Sequence, residues 1–376
     1  MKLSRILIWS ILLISGCDSP KMIVQPPVEK TQPEIPAPAI LPQGEMTKVG
    51  LLLPLSGSSK GIGKQLLNSA QLALFSFSDH KLELLPKDTK GEPGVALEQT
   101  KELLNDGVEL ILGPLFAVEV DALKGPALAK MVPIVSLTNN VDKAGQGVFV
   151  FGFSPDMSTD AILNFARKKG YRNFAALLPS GPFGKRLGES LLKFSQNNEL
   201  PEPIIIYSDQ NSRSWEFELE KLKTQKVQVL FVPEGGAKVI EVATYMKETG
   251  LSHIRLLGSG QWDDPVVLSS PIMQDAWYPT TRKGQREWFN KKYEETYGEK
   301  PQRLASLAFD MVSLAIVLSK DSNGGQPFTY QTLIRPQGFR GVEGLFKITP
   351  DGTTQRELSI FQINLDGVKE IGVGQN

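Results

Sequence analysis

A short segment rich in glycine and serine, GSSKG at residues 57–61, has the spacing of a nucleophilic serine turn. It follows an apolar run and precedes a helical pattern, which is where a hydrolase places its serine. A catalytic triad also needs an acid and a histidine later in the chain, but the sequence contains only His80 and His253. We therefore interpret the segment as a turn that lets a ligand approach the backbone and the following helix. We predict no catalytic activity.

Metal sites need clusters of histidine, cysteine or carboxylate ligands. The chain has two histidines, well separated, and one cysteine. Asp263 and Asp264 are adjacent, and PDGT at 350–353 is similar to a calcium loop over three residues only. Both segments are typical of turns, and GSSKGIGK at 57–64 lacks the spacing of a phosphate-binding loop. The sequence predicts no metal and no cofactor.

The single cysteine, Cys17, follows a basic start and a short apolar run that ends in small residues. These are the parts of a secretory signal peptide, predicted at residues 1–16, and the run is too short for a membrane span. The segment ISGC at 14–17 resembles the lipobox of bacterial lipoproteins, which implies that Cys17 is lipidated. The alternative is an ordinary signal peptide with an incidental cysteine. Asp18 resembles a retention signal of the inner membrane in some bacteria, so the choice between membranes stays open.

Residues 17–46 are predicted to be a linker that follows the lipid anchor. The segment from 18 to 45 contains seven prolines, which favour extended polyproline geometry over helix or sheet. We expect this linker to separate the membrane from a globular body in the periplasm.

The body has a neutral composition and no thiol once Cys17 is modified. The chain carries 41 basic and 41 acidic residues, which gives no argument for nucleic-acid binding. A body of roughly 330 residues buries a large core and suggests about two domains.

Short apolar runs alternate with longer segments of helical periodicity from Lys48 onward. Eight runs are predicted as strands, at 49–55, 82–86, 108–114, 132–137, 174–180, 203–208, 227–233 and 254–260. Continuous apolar strands that alternate with amphipathic helices predict parallel sheets covered by helices on both faces. The sequence leaves open whether the strands form one large sheet or two smaller ones.

Small and polar residues follow several of these predicted strands, including Ser56, Gly57, Ser136 and Glu234. In parallel α/β sheets, the loops beyond the carboxyl ends of the strands form the ligand crevice. The pattern therefore predicts a ligand site built from these loops.

The order of the segments resembles the type I periplasmic binding proteins, in the branch that binds leucine, isoleucine and valine. The resemblance rests on residues 48–74, which contain PLSG, on 88–115, which end in GPL, and on VPIVSLTNN at 132–140. It implies an α/β fold of two Rossmann-like lobes, with parallel sheets flanked by helices and three hinge crossings. By resemblance, the first lobe comprises 47–153 plus 277–335, and the second comprises 154–276 plus 336–370.

The resemblance also implies which residues contact a ligand between the lobes. Hydroxyl groups would be expected after the GP strand end, where this chain has Leu115 and Phe116 instead. The other residues that the resemblance brings to the cleft are Ser136, Thr138, Asn139, Phe183, Glu234, Trp262 and Asp263. Glu234 or Asp263 would pair with an ammonium group, and Trp262 or Phe183 would cover an apolar face.

Two functions follow from this resemblance. The first is capture of a small solute, such as an amino acid or a cell-wall peptide, for an inner-membrane permease of an ABC-type transporter. The alternative is regulation without transport, because the Leu115-Phe116 pair also resembles the penicillin-binding-protein activators, which bind a peptidoglycan synthase. Both predictions place the protein in the periplasm, anchored to a membrane by lipid.

Overall fold

The computed structural model describes residues 46–77, 80–209, 213–322 and 325–374. The predicted signal peptide, Cys17 and the linker, apart from Met46, lie outside these residues. Across the described ranges, no helix combines the length and the apolar character that crossing a membrane requires.

The first sheet has five parallel strands in the order β2-β1-β3-β4-β5. The strands are β1 (Thr47–Leu53), β2 (Leu82–Asp88), β3 (Leu110–Leu112), β4 (Ile134–Ser136) and β5 (Val148–Val150). The first four coincide with predicted strands, whereas β5 is only three residues long and lies outside the eight predicted runs. The inner strands of the sheet are buried on both faces, as the continuous apolar runs predicted, whereas most of the edge strand β2 is half-buried or exposed.

Helices cover both faces of this first sheet. They are α1 (Lys60–Ser76), α2 (Pro93–Asn105), α3 (Ala117–Ala129) and, much later in the chain, α9 (Lys283–Tyr297), α10 (Ala305–Asp321) and the short α11 (Tyr330–Leu333). Successive residues of a strand point to opposite faces. Leu51 therefore packs with α1 and α10, while Leu52 packs with α2 and α3.

The second sheet has seven strands in the order β15-β14-β10-β9-β8-β6-β7. They are β6 (Phe174–Pro179), β7 (Ile204–Ser208), β8 (Val229–Val232), β9 (Arg255–Gly258), β10 (Trp277–Thr280), β14 (Leu358–Asn364) and β15 (Gly367–Gly374). Strands β6 to β10 are parallel, whereas β14 and β15 are antiparallel additions at one edge. The apolar runs therefore form two sheets, which answers the question that the sequence left open.

The helices of the second lobe also lie on both faces of their sheet. They are α4 (Pro155–Lys168), α5 (Pro182–Asn197), α6 (Ser214–Glu220), α7 (Gly236–Glu248) and the short α8 (Pro265–Leu268). Phe231 of β8 packs with α4 and α5, and Leu230 packs with α6 and α7. Helix α4 begins at Pro155, where a proline is well suited to the first helical turn.

A small antiparallel sheet completes the first lobe. Its strands are β11 (Phe339–Gly341), β12 (Gly344–Ile348) and β13 (Thr354–Arg356). Phe339 and Phe346 belong to the same core as α10. The Thr354 hydroxyl donates to the carbonyl oxygen of Val150 in β5, over 2.8 Å.

Three crossings connect the two lobes, but two of them differ from the predicted boundaries. The first crossing lies between β5 and α4, close to the predicted position. The second was predicted before 277, but Trp277–Thr280 pairs with β9 and β14 and so belongs to the second sheet. The third was predicted after 335, but β11 to β13 pack on the first core, so the crossing follows Arg356.

Candidate functional site

The loops after the parallel strands approach one another where the two lobes meet. A cavity of about 230 Å³ lies there, with walls from both lobes and from the first crossing. Asn139 after β4, Phe153 in the first crossing and Arg303 before α10 form the wall of the first lobe. The wall of the second lobe comes from Ser154, Pro155, Met157, Ser158, Thr159, Phe183, Leu187, Pro233, Ser259, Gly260, Gln261, Pro279 and Leu358.

Arg303 reaches across the cavity edge from the first lobe to the second. Its Nη1 donates to the carbonyl oxygen of Gly260 over 3.0 Å, and its Nη2 donates to the Thr280 hydroxyl over 3.3 Å. The guanidinium lies over the ring of Phe153, 4.7 Å from its centroid. Burial lowers the pKa of Arg303, although the charges of Glu343 and Asp263 oppose that effect. An arginine held in this way still carries its charge, because a guanidinium is not deprotonated in proteins.

Asp263 lies beside Arg303 and takes its main partner from the first lobe. Arg286 on α9 donates to its Oδ2, and Nη1 of Arg303 lies 3.8 Å from the same oxygen. The Thr280 hydroxyl donates to Oδ2 over 3.1 Å. Burial raises the pKa of Asp263, but the two arginines outweigh burial, so the pKa ends below its ordinary value. Asp263 is therefore an ionised structural partner of the arginines.

Glu343 in the β11–β12 turn binds the second crossing to α10. Its fully buried carboxylate accepts from the Thr281 hydroxyl over 2.6 Å and from the Ser306 hydroxyl over 2.7 Å. Nη2 of Arg303 lies farther away, at 3.9 Å. The close partners of this carboxylate are thus two hydroxyl groups, and Arg303 is only a distant one.

A second buried pair, Asp310 and Arg356, supports the third crossing. Asp310 on α10 accepts from the backbone N–H of Val342 over 2.6 Å and lies 3.7 Å from Nη1 of Arg356. Burial raises the pKa of Asp310 to about 7, against the opposing charge of Arg356. The Arg356 guanidinium lies 4.5 Å from the ring centroid of Phe151. These contacts hold the end of β13 against the core of the first lobe.

Two of the predicted ligand residues, Asn139 and Phe183, line this cavity. Ser56 and Gly57 lie after β1 and are not part of its lining; the backbone N–H groups of Leu55 and Ser56 donate to Asp88 instead. Leu115 is buried in the core of the first lobe. The ring of Phe116 lies against Gly91, 3.1 Å from where a Cβ of that glycine would be.

The hydroxyl groups predicted after β4 are occupied by neighbouring backbone. The Ser136 hydroxyl donates to the carbonyl oxygen of Pro114 over 2.8 Å and accepts from the N–H of Thr138. The Thr138 hydroxyl accepts from the N–H of Asn140 over 3.2 Å. Both side chains are buried, so in this arrangement they shape the loop and do not line the cavity.

Trp262 and Asp263 also have structural partners instead of the predicted ligand contacts. The Trp262 indole is fully buried, and its Nε1 donates to the carbonyl oxygen of Glu234 over 2.9 Å. A Cβ at Gly258 would lie 2.0 Å from the indole, so the ring occupies the space that this glycine leaves. The ring therefore packs in the core of the second lobe, and the arginines occupy Asp263. Glu234 is half-buried outside the cavity lining, and burial raises the pKa of its carboxyl.

Arg303 is a charged cavity residue that the sequence analysis did not single out. It lies in the segment PQRLAS, directly before the apolar helix α10. The available signal was a cation before the amino end of a mostly buried helix, because the helix dipole disfavours a positive charge there. Only the return of the chain to the first lobe brings Arg303 beside Gly260 and Thr280.

The serine turn and the histidines do not assemble a hydrolytic site. Ser59 precedes α1, beyond the carboxyl end of β1, while His253 lies before the amino end of β9 in the other lobe. His80 accepts from the N–H of Leu82 next to it. Over the described part of the chain, no three His, Cys, Asp or Glu side chains come together in a way that could hold a metal ion.

Two α/β lobes, three crossings and a cavity between the lobes form the architecture in which binding proteins enclose a ligand between domains. A model of the periplasmic binding protein family matches residues 47–369, and the chain belongs to this family. The fold is that of the type I members, whose branch includes the leucine-, isoleucine- and valine-binding proteins.

Two solved structures show the same fold over nearly the whole body. A putative branched-chain amino acid ABC transporter protein from Rhodospirillum rubrum is 16% identical, with a TM-score of 0.75 over 87% of this chain and 100% of that chain. The C-domain of LpoA from Haemophilus influenzae, described as a regulator of PBP1A, is 17% identical, with a TM-score of 0.69 over 86% of this chain and 99% of that chain.

One similar sequence is the penicillin-binding protein activator LpoA of Pasteurella multocida. It is 29% identical over 149 residues, which make up 38% of this chain and 25% of that protein. The chain therefore matches a quarter of the length of that relative.

Proposed function

We propose that this protein is a lipid-anchored periplasmic binding protein that captures a small organic solute between its lobes and delivers it to an inner-membrane ABC-type permease. The observation that carries the proposal is the cavity of about 230 Å³, whose walls come from both lobes and the first crossing. A site built across a hinge binds ligand more tightly when the lobes close on it. Capture by closure needs no catalytic group.

The size and lining of the cavity suit a small ligand. Its volume is roughly that of eight water molecules, since each occupies about 30 Å³ in the liquid. Apolar side chains such as Phe183, Leu187 and Leu358 share the lining with polar groups such as Asn139 and Gln261. Apolar walls with a few placed polar groups are typical of small-molecule sites.

A calorimetric screen of the full chain, purified from membranes in detergent, tests this proposal. Amino acids, cell-wall peptides and small organic acids are titrated against the wild type and against Ser158→Phe, which places a ring in the cavity from α4. We expect at least one solute to bind the wild type and to lose binding in Ser158→Phe. Lys168→Phe, on the exposed far end of the same helix, is the matched control and should bind normally.

Two outcomes would argue against solute capture. The first is the absence of binding by any solute to a chain that unfolds cooperatively. The second is binding that survives in Ser158→Phe, which would place the site elsewhere.

A second function is regulation of a peptidoglycan synthase. It is favoured because side chains that would have to be free to bind a solute are buried or already bonded within the protein. Leu115 is buried, the hydroxyl groups of Ser136 and Thr138 bind backbone, and Arg286 from the first lobe occupies Asp263. In this proposal, contacts within the protein such as the Arg286–Asp263 pair hold the lobes together without a ligand. The fold of the LpoA C-domain supports it as well.

The regulator proposal is tested with a purified bifunctional penicillin-binding protein from the same bacterium. Binding to the full chain is measured by biolayer interferometry, and glycan polymerisation is measured with and without the chain. Saturable binding that also changes the rate of polymerisation supports regulation. A rate that is unchanged at saturating chain contradicts it.

A further inference from the structure

We propose that the cavity selects a monocarboxylate with an apolar body and no ammonium group, and that Arg303 binds the carboxylate. This inference rests on the proposed capture of a solute in the same cavity. It differs from the expectation that the sequence raised, which was an amino-acid-like ligand paired with Glu234 or Asp263.

Arg303 is the charged group that faces the cavity. Among the described residues that line it, no other side chain carries a charge, and none is Asp or Glu. The Nε of Arg303 is buried without a hydrogen-bond acceptor. An arginine in this position offers a directed donor to a carboxylate, which is the anion that its planar fork fits best.

The two nearest acids leave Arg303 with unused binding capacity. Its closest approaches to Asp263 and Glu343 are 3.8 and 3.9 Å, which are too long for hydrogen bonds. Asp263 is bonded directly to Arg286, and Glu343 accepts from two hydroxyl groups. Each acid therefore has a nearer partner than Arg303, and an incoming carboxylate would complete the hydrogen bonds of the guanidinium.

The geometry around Gly260 shows free space beside this guanidinium. A Cβ at Gly260 would lie 3.5 Å from Nη1 of Arg303, 3.6 Å from the carbonyl oxygen of Pro279 and 3.7 Å from the Oγ of Ser158. A donor from each lobe thus faces the same point in the cavity. The Ser158 hydroxyl can donate to a carboxylate oxygen there, which adds a contact from α4 to the contact from Arg303.

The rest of the cavity favours an apolar body over an ammonium group. Phe153, Met157, Phe183, Leu187 and Leu358 contribute apolar surface. An ammonium group that enters this space loses its water and finds no carboxylate, because Asp263 and Glu343 are already bonded. Burial of an unpaired charge is costly, so an amino acid should bind more weakly than the acid that lacks its amino group.

Pairs of ligands that differ only in the ammonium group test the inference by calorimetry on the full chain. Isocaproate is compared with leucine, and hydrocinnamate with phenylalanine; isocaproamide tests the need for the carboxylate. We expect at least one deaminated acid to bind about tenfold or more tightly than its amino acid, and the amide to show no binding. Leucine that binds more tightly than isocaproate would overturn the inference and leave solute capture intact.

Variants at Arg303 test its assignment directly. Arg303→Lys keeps a positive charge but loses the planar guanidinium that presents Nη1 to the cavity, so the affinity for the acid should fall about tenfold or more. Arg282→Lys, in the exposed second crossing, is the matched control and should bind as the wild type does. Ser158→Ala, which leaves the arginine network untouched, is the second variant and should weaken binding of the acid severalfold. It keeps the inference testable if Arg303→Lys does not fold.

The remaining outcomes also decide the question. Equal affinity of the wild type, Arg303→Lys and Ser158→Ala for the acid would overturn the role of these two donors. If no carboxylate binds, the inference fails whatever else the chain binds. If no solute of any class binds, the proposed capture function fails with it.

Discussion

Arg286 on α9 and Asp263 after β9 form a buried ion pair between the two lobes. Their side chains are only 12% and 7% exposed, and Arg303 approaches the same carboxylate oxygen. The pair lies beside the second crossing, because Arg286 follows that crossing on the first turns of α9. The orientation of the lobes therefore depends on charges whose partners are brought together only by the fold.

Replacement of Asp263 with asparagine should strongly destabilise the protein. The change leaves Arg286 buried without its anion, and loss of one partner of a buried pair costs about 3–5 kcal/mol. Urea unfolding followed by circular dichroism measures the change in the free energy of unfolding. Asp366→Asn, at an exposed position between β14 and β15, is the matched control and should change it by less than about 0.5 kcal/mol. Similar small effects of both variants would mean that the ion pair contributes little.

The stability difference between wild type and Asp263→Asn should depend on pH. Burial raises the pKa of Asp263, but Arg286 and Arg303 bring it below the ordinary value. A lowered carboxyl pKa stabilises the folded state above the unfolded value of about 3.9, and the effect disappears as the pH falls through the folded value. We expect a constant difference near neutral pH that narrows below about pH 4, measured by urea unfolding at a series of pH values. A difference that widens in acid would contradict this assignment.

Two glycines near the start of α1 should respond oppositely to alanine. A Cβ at Gly63 would lie 1.9 Å from the carbonyl oxygen of Pro54, whereas nothing lies within 4 Å of a Cβ at Gly61. Gly63→Ala must push the helix away from the loop after β1, so we expect a loss of about 1–3 kcal/mol. Gly61→Ala should be neutral or stabilise by up to about 1 kcal/mol, because alanine favours the helix. Urea unfolding compares the two variants, and equal effects would show that the close approach is not real.

The main effect of Trp262→Ala should be a lower free energy of unfolding, and not the loss of a direct contact with the ligand. The indole is fully buried against Gly258 and bonded to the backbone of Glu234, so its removal leaves a large cavity. We expect a loss of about 3–5 kcal/mol in the free energy of unfolding. Trp288→Ala is the comparison, because Trp288 is 49% exposed and should cost clearly less. A stable Trp262→Ala variant that had lost solute binding would restore the ligand contact expected from the sequence.

The sequence alone predicted most of the secondary structure, because the signals are local. All eight apolar runs contain strands of the two large sheets. Strands β5 and β10 to β15 lie outside these eight runs. Length alone does not explain this, because β3 and β4 are also three residues long but lie within longer apolar runs, whereas β10 contains a proline, which is depleted in strands.

The candidate site was predicted less completely, because its contacts join residues far apart in the chain. Asn139 and Phe183 line the cavity, since loops after parallel strands share one edge of a sheet, and their contact with a ligand stays a prediction. Arg303 was missed. Trp262 was expected to contact a ligand because it follows β9, but its indole is buried in the core of the second lobe. Whether a side chain in such a loop faces the ligand or the core depends on its neighbours in space, such as Gly258 beneath the indole.

By itself, then, the sequence determined the alternation of strands and helices, the α/β class and the resemblance to two-lobed binding proteins. These follow from the spacing of apolar residues along a continuous segment. Tertiary structure alone decided which strands share a sheet, where the second and third crossings fall, and which charges are paired. Thr281 and Glu343 are separated by 62 positions, and Asp263 and Arg286 by 23. Such contacts depend on how the chain returns to each lobe, and no local pattern of residues encodes that path.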